Sequence, residues 1–357
     1  MLHVIGIDSE RDNMTIGSLN ALKKSEVILG REKHLIMASD IIWEKKIPEH
    51  PIEDKLAMIE LGISLATEGK EVALIDSNDP EVFGMGNFLF QSLGKYNDID
   101  FKIYPCVTAI NHGASLIGAP LTDFATINLN NKLITLDEIK EKLESAITSN
   151  YVVTIYNPSK KEHFKLIKKI LLSLKNPKSP MAIVNFNNSN NNEITDNHKI
   201  IKLEDLNHDE ISSNTLLIIG NRMTYIEKNK LITPEPIIIE PIIHPLTRQF
   251  YTDFLEDKSP KGADKSCEYY PCHKMKNQLC DFCYCPFYPC CDGSTGGKWI
   301  KNKNIWNCID CSWIHEKKVI DRVKEGINEI ISEVDDLKMK KEELMKLRRK
   351  CIFKTKI

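Results

Sequence analysis

The stretch Val72-Ala73-Leu74-Ile75-Asp76-Ser77-Asn78-Asp79-Pro80-Glu81-Val82-Phe83-Gly84-Met85-Gly86 decides how the rest of the sequence is read. Four apolar residues end in a polar turn, and a helix-like segment follows. Val72–Ile75 has the composition of a buried central strand, and Ser-Asn-Asp-Pro is turn chemistry. In open α/β sheets ligands collect at the carboxyl ends of strands, so this turn is a natural binding edge. Taken alone, the stretch favours a purely structural connection, because such turns are common in α/β folds. A second stretch shifts the balance: Tyr104-Pro105-Cys106-Val107-Thr108-Ala109, with Gly118-Ala119-Pro120-Leu121 behind it.

Outward from these turns, short apolar runs alternate with helical periodicity. Strands are expected at Leu2–Ile7, Val27–Gly30, Phe101–Tyr104, Phe124–Leu129, Tyr151–Tyr156, Met181–Asn185 and Thr215–Ile219. Helices are expected at 14–24, 52–68, 108–117, 135–149 and 161–175. Thr108 stands near one N-cap, and Thr135 with Glu138 has capping-box spacing. Strands alternating with helices over this length predict an α/β architecture. Ile232 to Pro245 carries four prolines in an apolar run and reads as an extended connector.

The chain has 357 residues and a formal net charge of −2. Its length suits two or three domains, and its charge gives no sign of a nucleic-acid partner. The start has no basic segment leading into a long apolar one, and no apolar run is long enough to span a bilayer. A cytoplasmic protein with no membrane partner is therefore expected. Of 11 cysteines, nine lie between Cys267 and Cys311, which in a reducing compartment points to metal rather than disulfides. After Glu316 the pattern turns helical. Ile320, Val323, Ile327, Ile330, Val334, Leu337 and Leu344 form a heptad-like seam that Lys341 interrupts. The seam suits either packing on its own domain or a coiled-coil contact, and a homodimer is the expected assembly.

Taken together, these motifs resemble the tetrapyrrole methylase family, and within it the branch that methylates C17 of precorrin-3B. Val72–Gly86 is similar to the family's strand followed by Ser-Gly-Asp-Pro, and Tyr104–Ala109 to its Pro-Gly-Val-Thr-Ala turn. Gly118–Leu121, Asp123-Phe124-Ala125, the Leu133–Leu143 segment, Tyr151–Ser159, Thr215–Thr224 and Thr233-Pro234 continue the match over roughly residues 1–235. The resemblance implies two α/β lobes, 1–105 and 106–235, binding S-adenosylmethionine and a tetrapyrrole. It places cofactor contacts at Ser77, Asn78, Asp79, Val82, Thr108, Ala109, Asn157 and Asn187. It implies methylation at C17 with ring contraction, of precorrin-3B or its cobalt form. Another ring carbon, or a scaffold on a degenerate methylase fold, is the alternative. The family's Gly-x-Gly-Pro-Gly turn stands here as Gly6-Ile7-Asp8-Ser9-Glu10, which puts acids near a site for a polycarboxylate.

No Ser–His–Asp or paired-carboxylate constellation is present, so no catalytic residue is assigned. His34 and His112 read as surface or packing histidines rather than catalysts, and Arg11, Arg31 and Lys33 are candidates for substrate carboxylates. Beyond a linker at 236–260, residues 261–315 resemble the cysteine-rich small domain appended to archaeal methylases of this pathway, with a helix over 316–357. Cys-x2-Cys pairs chelate without straining the turn between them. Cys280, Cys283, Cys308 and Cys311 are thus the first expected ligands, and Cys267, Cys272 and Cys290 the next, for a second ion. Zinc is expected ahead of an iron–sulfur cluster.

Overall fold

The structure, a computed structural model of the chain, describes residues 1–8, 13–42, 51–77, 79–95, 99–130, 133–186 and 197–355. The α/β class expected from the sequence is the one observed. Four strands, β1 (Leu2–Ile7), β2 (Val27–Leu29), β3 (Val72–Ser77) and β4 (Phe101–Tyr104), form a sheet in the order β2-β3-β1-β4. The pairs β2–β3, β3–β1 and β1–β4 are parallel. A parallel sheet covered on both faces needs strands that are apolar on both sides. Val72 and Leu74 pack on one face with Met58, Ile59 and Ile63; Ala73 and Ile75 pack on the other with Ala21, Leu22 and Ile42. The helices supplying those side chains are capped where polar residues precede them. Thr15 accepts from the Ser18 N–H and Asp54 from the Ala57 N–H.

A second sheet follows. After the two-residue strand β5 (Gly118–Ala119) come β6 (Phe124–Asn128), β7 (Val152–Tyr156), β8 (Pro180–Asn185), β9 (Asn197–Lys202) and β10 (Thr215–Ile219). Its order is β6-β7-β10-β8-β9. Helices Leu136–Thr148 and Lys161–Leu174 bury Ile139, Leu143, Phe164 and Ile167 against one face. Thr135 accepts from the Glu138 N–H at 3.2 Å, as the capping-box spacing predicts. The hairpin β11 (Tyr225–Glu227) and β12 (Lys230–Ile232) pairs with β5 to end this part.

By contacts the chain divides into two compact units. One comprises Met1–Leu116, Val184–His198 and Asn214–Leu216. The other comprises Ile117–Ile183, Lys199–Ser213 and Leu217–Ile357. The helix Ala109–Ile117, grouped by sequence with the second lobe, thus falls almost wholly in the first unit. The cysteine-rich segment shares the second unit with the second sheet. Arg222 holds its backbone N–H on Asn150 at 3.0 Å and stacks its guanidinium 4.8 Å from the Phe353 ring, and Gly293 lies against the Tyr225 ring.

Two elements depart from expectation. The segment 236–260, expected as a linker, contains the helix Pro245–Leu255. Proline is tolerated in a first helical turn, where its missing N–H would have no helical partner, and His244 caps that turn by accepting from the Leu246 N–H. The expected single helix over 316–357 is broken into Lys317–Ile330, Asp336–Met339 and Lys341–Thr355. The Asp336 carboxylate makes the break. It accepts from the Ser332 and Glu333 N–H groups at 2.8 and 3.2 Å and from the Lys340 ammonium at 3.0 Å. The chain then folds back, so that a Cβ on Gly326 would meet Leu347 at 2.7 Å. The apolar seam closes on itself and on Phe250, Phe282 and Trp313, which removes it as a coiled-coil surface.

Candidate functional site

Strands β1, β3 and β4 are parallel neighbours, so the turns after them leave one edge of the first sheet together. Asp79 ties two of these turns to each other. Its carboxylate accepts from the Glu81 N–H at 2.9 Å within its own turn and from the Cys106 N–H at 3.0 Å in the turn after β4. Both bonds are buried or nearly so, and a carboxylate accepting backbone donors is stronger than a neutral pair. Val82 closes the first turn by donating to the Asp79 carbonyl. Gly84 is required there: a Cβ would lie 2.5 Å from the Pro80 carbonyl oxygen. In the second turn Thr108 caps the helix Ala109–Ile117, its hydroxyl accepting from the Asn111 N–H at 3.2 Å. The chain therefore builds a rigid backbone platform from Ser77, Asp79, Val82, Thr108 and Ala109. Asn78 lies outside the described residues.

Behind Ser77 sits a buried charge cluster. Asp76, 2% exposed, accepts from the Ser77 N–H at 3.0 Å, from Arg31 at 3.2 Å and from Lys55 at 3.1 Å. His34 is fully buried 3.7 Å from the same carboxylate, and burial pushes its imidazole down to about 4, so it is neutral near pH 7. That agrees with its reading as a packing residue. Partial desolvation, then the Arg31 charge, lowers the Lys33 ammonium although the residue as a whole is exposed. Arg31 and Lys55 bond to this carboxylate, and with Lys33 they stand beside two acids, Asp76 and Glu53, so the local excess of positive charge is small. Among the described residues the Arg31 Nε has no hydrogen-bond partner. Arg31 is thus partly committed to Asp76, and Arg11 lies outside the described residues. Asp8 is buried and accepts from Asn13 at 3.4 Å, and its charge, after burial, helps to push the Cys106 thiol up to about 12. Glu10 lies outside the described residues.

Asn157 follows β7 in the second unit with a left-handed backbone, φ 53°, a conformation asparagine tolerates well. Its side chain donates to Asn130 and accepts from the Ser159 hydroxyl. Asn187 lies outside the described residues.

A family profile described as Tetrapyrrole (Corrin/Porphyrin) Methylases matches residues 1–194. The chain belongs to the tetrapyrrole methylase family. A profile described as a cysteine-rich small domain matches residues 259–338. The chain is 40% identical, over 99% of its length and all of the relative's, to a protein named "Probable cobalt-factor III C(17)-methyltransferase" from Methanothermobacter thermautotrophicus. A Salmonella typhimurium protein of the same name is 27% identical, but 66% of this chain covers 98% of it. A crystal structure of the methyltransferase CobJ aligns with TM-score 0.60 at 24% identity, over 65% of this chain and 99% of that one; it bears on the fold alone.

The thiols of the cysteine segment do not share one set of neighbours. The groups that bear electrostatically on Cys280 and Cys283 include Cys267, Cys272 and Asp264. Cys290 bears on Cys285, Cys308 and Cys311 alike, and Cys308 and Cys311 also bear on Cys285. The two Cys-x2-Cys pairs thus have different thiol neighbours, and Cys285, absent from the expected ligands, is a neighbour of the second. Burial raises Cys283 to about 11 and Cys308 to about 12, so these thiols stay protonated at neutral pH until an ion displaces the proton. No three His, Cys, Asp or Glu side chains among the described residues close on one point. The donor chemistry, thiols presented by tight turns, still fits a thiophilic ion.

Proposed function

We propose that the chain is an S-adenosylmethionine-dependent C-methyltransferase of corrin synthesis. In this reading it methylates cobalt-factor III, or metal-free precorrin-3B, at C17 with ring contraction. The observation that carries the proposal is the 40% identity, end to end, with a protein named for that activity. The bound cofactor supplies the electrophilic methyl group. The chain's part is placement: Asp79 fixes two turns, and in-line displacement rewards such fixed geometry. The small positive excess at Arg31, Lys33 and Lys55 supports attraction of a polycarboxylate. A homodimer, a cytoplasmic place of work and zinc in the cysteine-rich segment belong to the same reading; an iron–sulfur cluster is the runner-up for the metal. Mass spectrometry after incubation with methyl-labelled cofactor and cobalt-factor III tests it. One labelled methyl on C17 is expected; cofactor binding with no transfer, or transfer to another carbon, refutes the assignment.

A further inference from the structure

The cysteine-rich segment contains one unit twice. Cys267-Glu-Tyr-Tyr-Pro-Cys272 is followed by Cys280-Asp-Phe-Cys283, and Cys285-Pro-Phe-Tyr-Pro-Cys290 by Cys308-Ile-Asp-Cys311. The backbone repeats with the sequence. The Tyr270 N–H donates to the Cys267 carbonyl at 3.0 Å, and the Tyr288 N–H to the Cys285 carbonyl at 3.2 Å. The Cys283 N–H donates to Cys280 at 3.2 Å, and the Cys311 N–H to Cys308 at 2.9 Å. Each unit thus presents two tight turns bearing thiols, the arrangement of a zinc knuckle. Two histidines stitch the units together. His273, next to Cys272, bonds to the Ile309 carbonyl inside the second unit's Cys-x2-Cys turn at 3.0 Å. His315, after Cys311, bonds to the Leu279 carbonyl beside Cys280 at 2.7 Å. Their rings stand 4.4 Å apart. Both histidines bond through Nδ1 in holding the units, which leaves each Nε2 facing away from those carbonyls, and the repeat itself singles out the thiols as the shared ligand set.

We propose that this segment holds two separate metal ions, one on Cys267, Cys272, Cys280 and Cys283 and one on Cys285, Cys290, Cys308 and Cys311. The second is a permanent structural centre, and the first exchanges. This rests on the segment binding metal at all.

The two sets differ in surroundings. In the first, Cys267, Cys272 and Cys283 are exposed, and among the described residues the sulfurs receive the Gln278 amide at 2.9 Å and the Asp264 N–H at 3.5 Å. In the second, all four cysteines border one cavity of about 580 Å³, whose wall includes Arg348 and which Cys283 also touches. The helix Lys341–Thr355 carries two buried cations, Arg348 on that wall and Lys341 beside the turn between Cys285 and Cys290. Arg348 is paired with Asp292 at 2.6 Å. Lys341, 3% exposed, donates to the Phe287 and Tyr288 carbonyls at 2.7 and 2.9 Å, inside the turn between Cys285 and Cys290. It has no carboxylate partner among the described residues. A buried ammonium without a counter-charge is costly, and so is a buried anionic tetrathiolate centre. Each compensates the other. Lys341 is also the residue that interrupts the heptad seam, so its charge at an apolar position acquires a reason. When an ion binds, the four thiols of a set release their protons to solvent and the sulfurs converge on it.

The test uses the full chain, purified anaerobically and reconstituted with zinc. Elemental analysis should find two zinc ions per chain, and a metallochromic chelator should release them in two phases of equal amplitude. Cys272→Ser should remove one ion and the fast phase only. Lys341→Gln, which keeps every thiol, should leave the fast phase alone and speed the slow one by at least about tenfold. One ion per chain, a single release phase, Lys341→Gln acting on the fast phase, or iron with acid-labile sulfide overturns the proposal. A folded chain that takes up no metal removes the underlying metal reading as well, an outcome distinct from one ion per chain.

Discussion

The first sheet and the cysteine-rich segment fix their turns by different means. In the first, Val72–Ile75 is buried on both faces, and the turn beyond it is held by one carboxylate accepting backbone N–H groups. Apolar burial supplies the stability, and Asp79 supplies the shape. In the segment 261–315 the order is reversed. Tight turns carry thiols at their ends, and much of the apolar packing comes from elsewhere: the helix Pro245–Leu255 and the hairpin 317–355. The contrast teaches where this chain's methylase chemistry resides. A relative with the same printed name is matched over 98% of its length by two-thirds of this chain, so that protein lacks a counterpart to a third of it. The turns at Ser77–Val82 and Thr108–Ala109 should work without the thiols.

The largest effect that would break this contrast is expected from metal removal. Three of the four tryptophans, Trp299, Trp306 and Trp313, lie in the cysteine-rich segment, and Trp306 and Trp313 are buried in its core. Chelation should therefore shift tryptophan emission strongly to the red while most far-ultraviolet dichroism survives. An unchanged emission spectrum from a metal-stripped chain would mean the segment is held by packing alone, like the first sheet.

Acid should act on the first unit through His34. Its folded value of about 4 lies below the ordinary 6.5, so the unfolded chain takes the proton first. The resulting stability is complete above about pH 6.5 and is lost as pH falls toward 4, up to on the order of 3 kcal/mol. Thermal melting of wild type against His34→Gln across that window checks the sign: the variant should show the shallower pH dependence.

Asp79→Ala should leave the Cys106 N–H buried without a partner. A cost of about 2 kcal/mol is expected, enough to weaken cofactor binding on the order of thirtyfold while the chain stays folded. Calorimetry with S-adenosylhomocysteine reads it, and unchanged affinity with a normal melting temperature would move the site elsewhere. The smallest effect is Thr135→Ala, which removes one helix cap in the second unit for about 1 kcal/mol and should leave cofactor affinity alone.

Much of the methylase part was legible because its signals are local. Runs such as Thr215–Ile219 and the Thr135 cap specify their own conformation, and the two turns that Asp79 joins are visible as turns. Their joining is not, because a bond from Asp79 to Cys106 spans 27 residues. The proposed grouping of the thiols is not legible in their spacing for a related reason. Cys-x2-Cys spacing fixes a local turn but does not decide which turns share an ion. The repeated Cys-x2-Tyr-Pro-Cys pattern, which adds Cys285, is the sequence signal that carries it. The break at Ile331–Asp335 escaped because the apolar period runs through it, while Asp336 acts by accepting from backbone groups three and four residues earlier.

The central claim is that the cofactor turns are built by the first unit's fold and owe nothing to the thiol segment. Titration calorimetry of S-adenosylhomocysteine into the full chain, before and after chelation, tests it most directly. The same dissociation constant in both states is the predicted result. Loss of binding on metal removal would contradict the account and make the cysteine-rich segment part of the site.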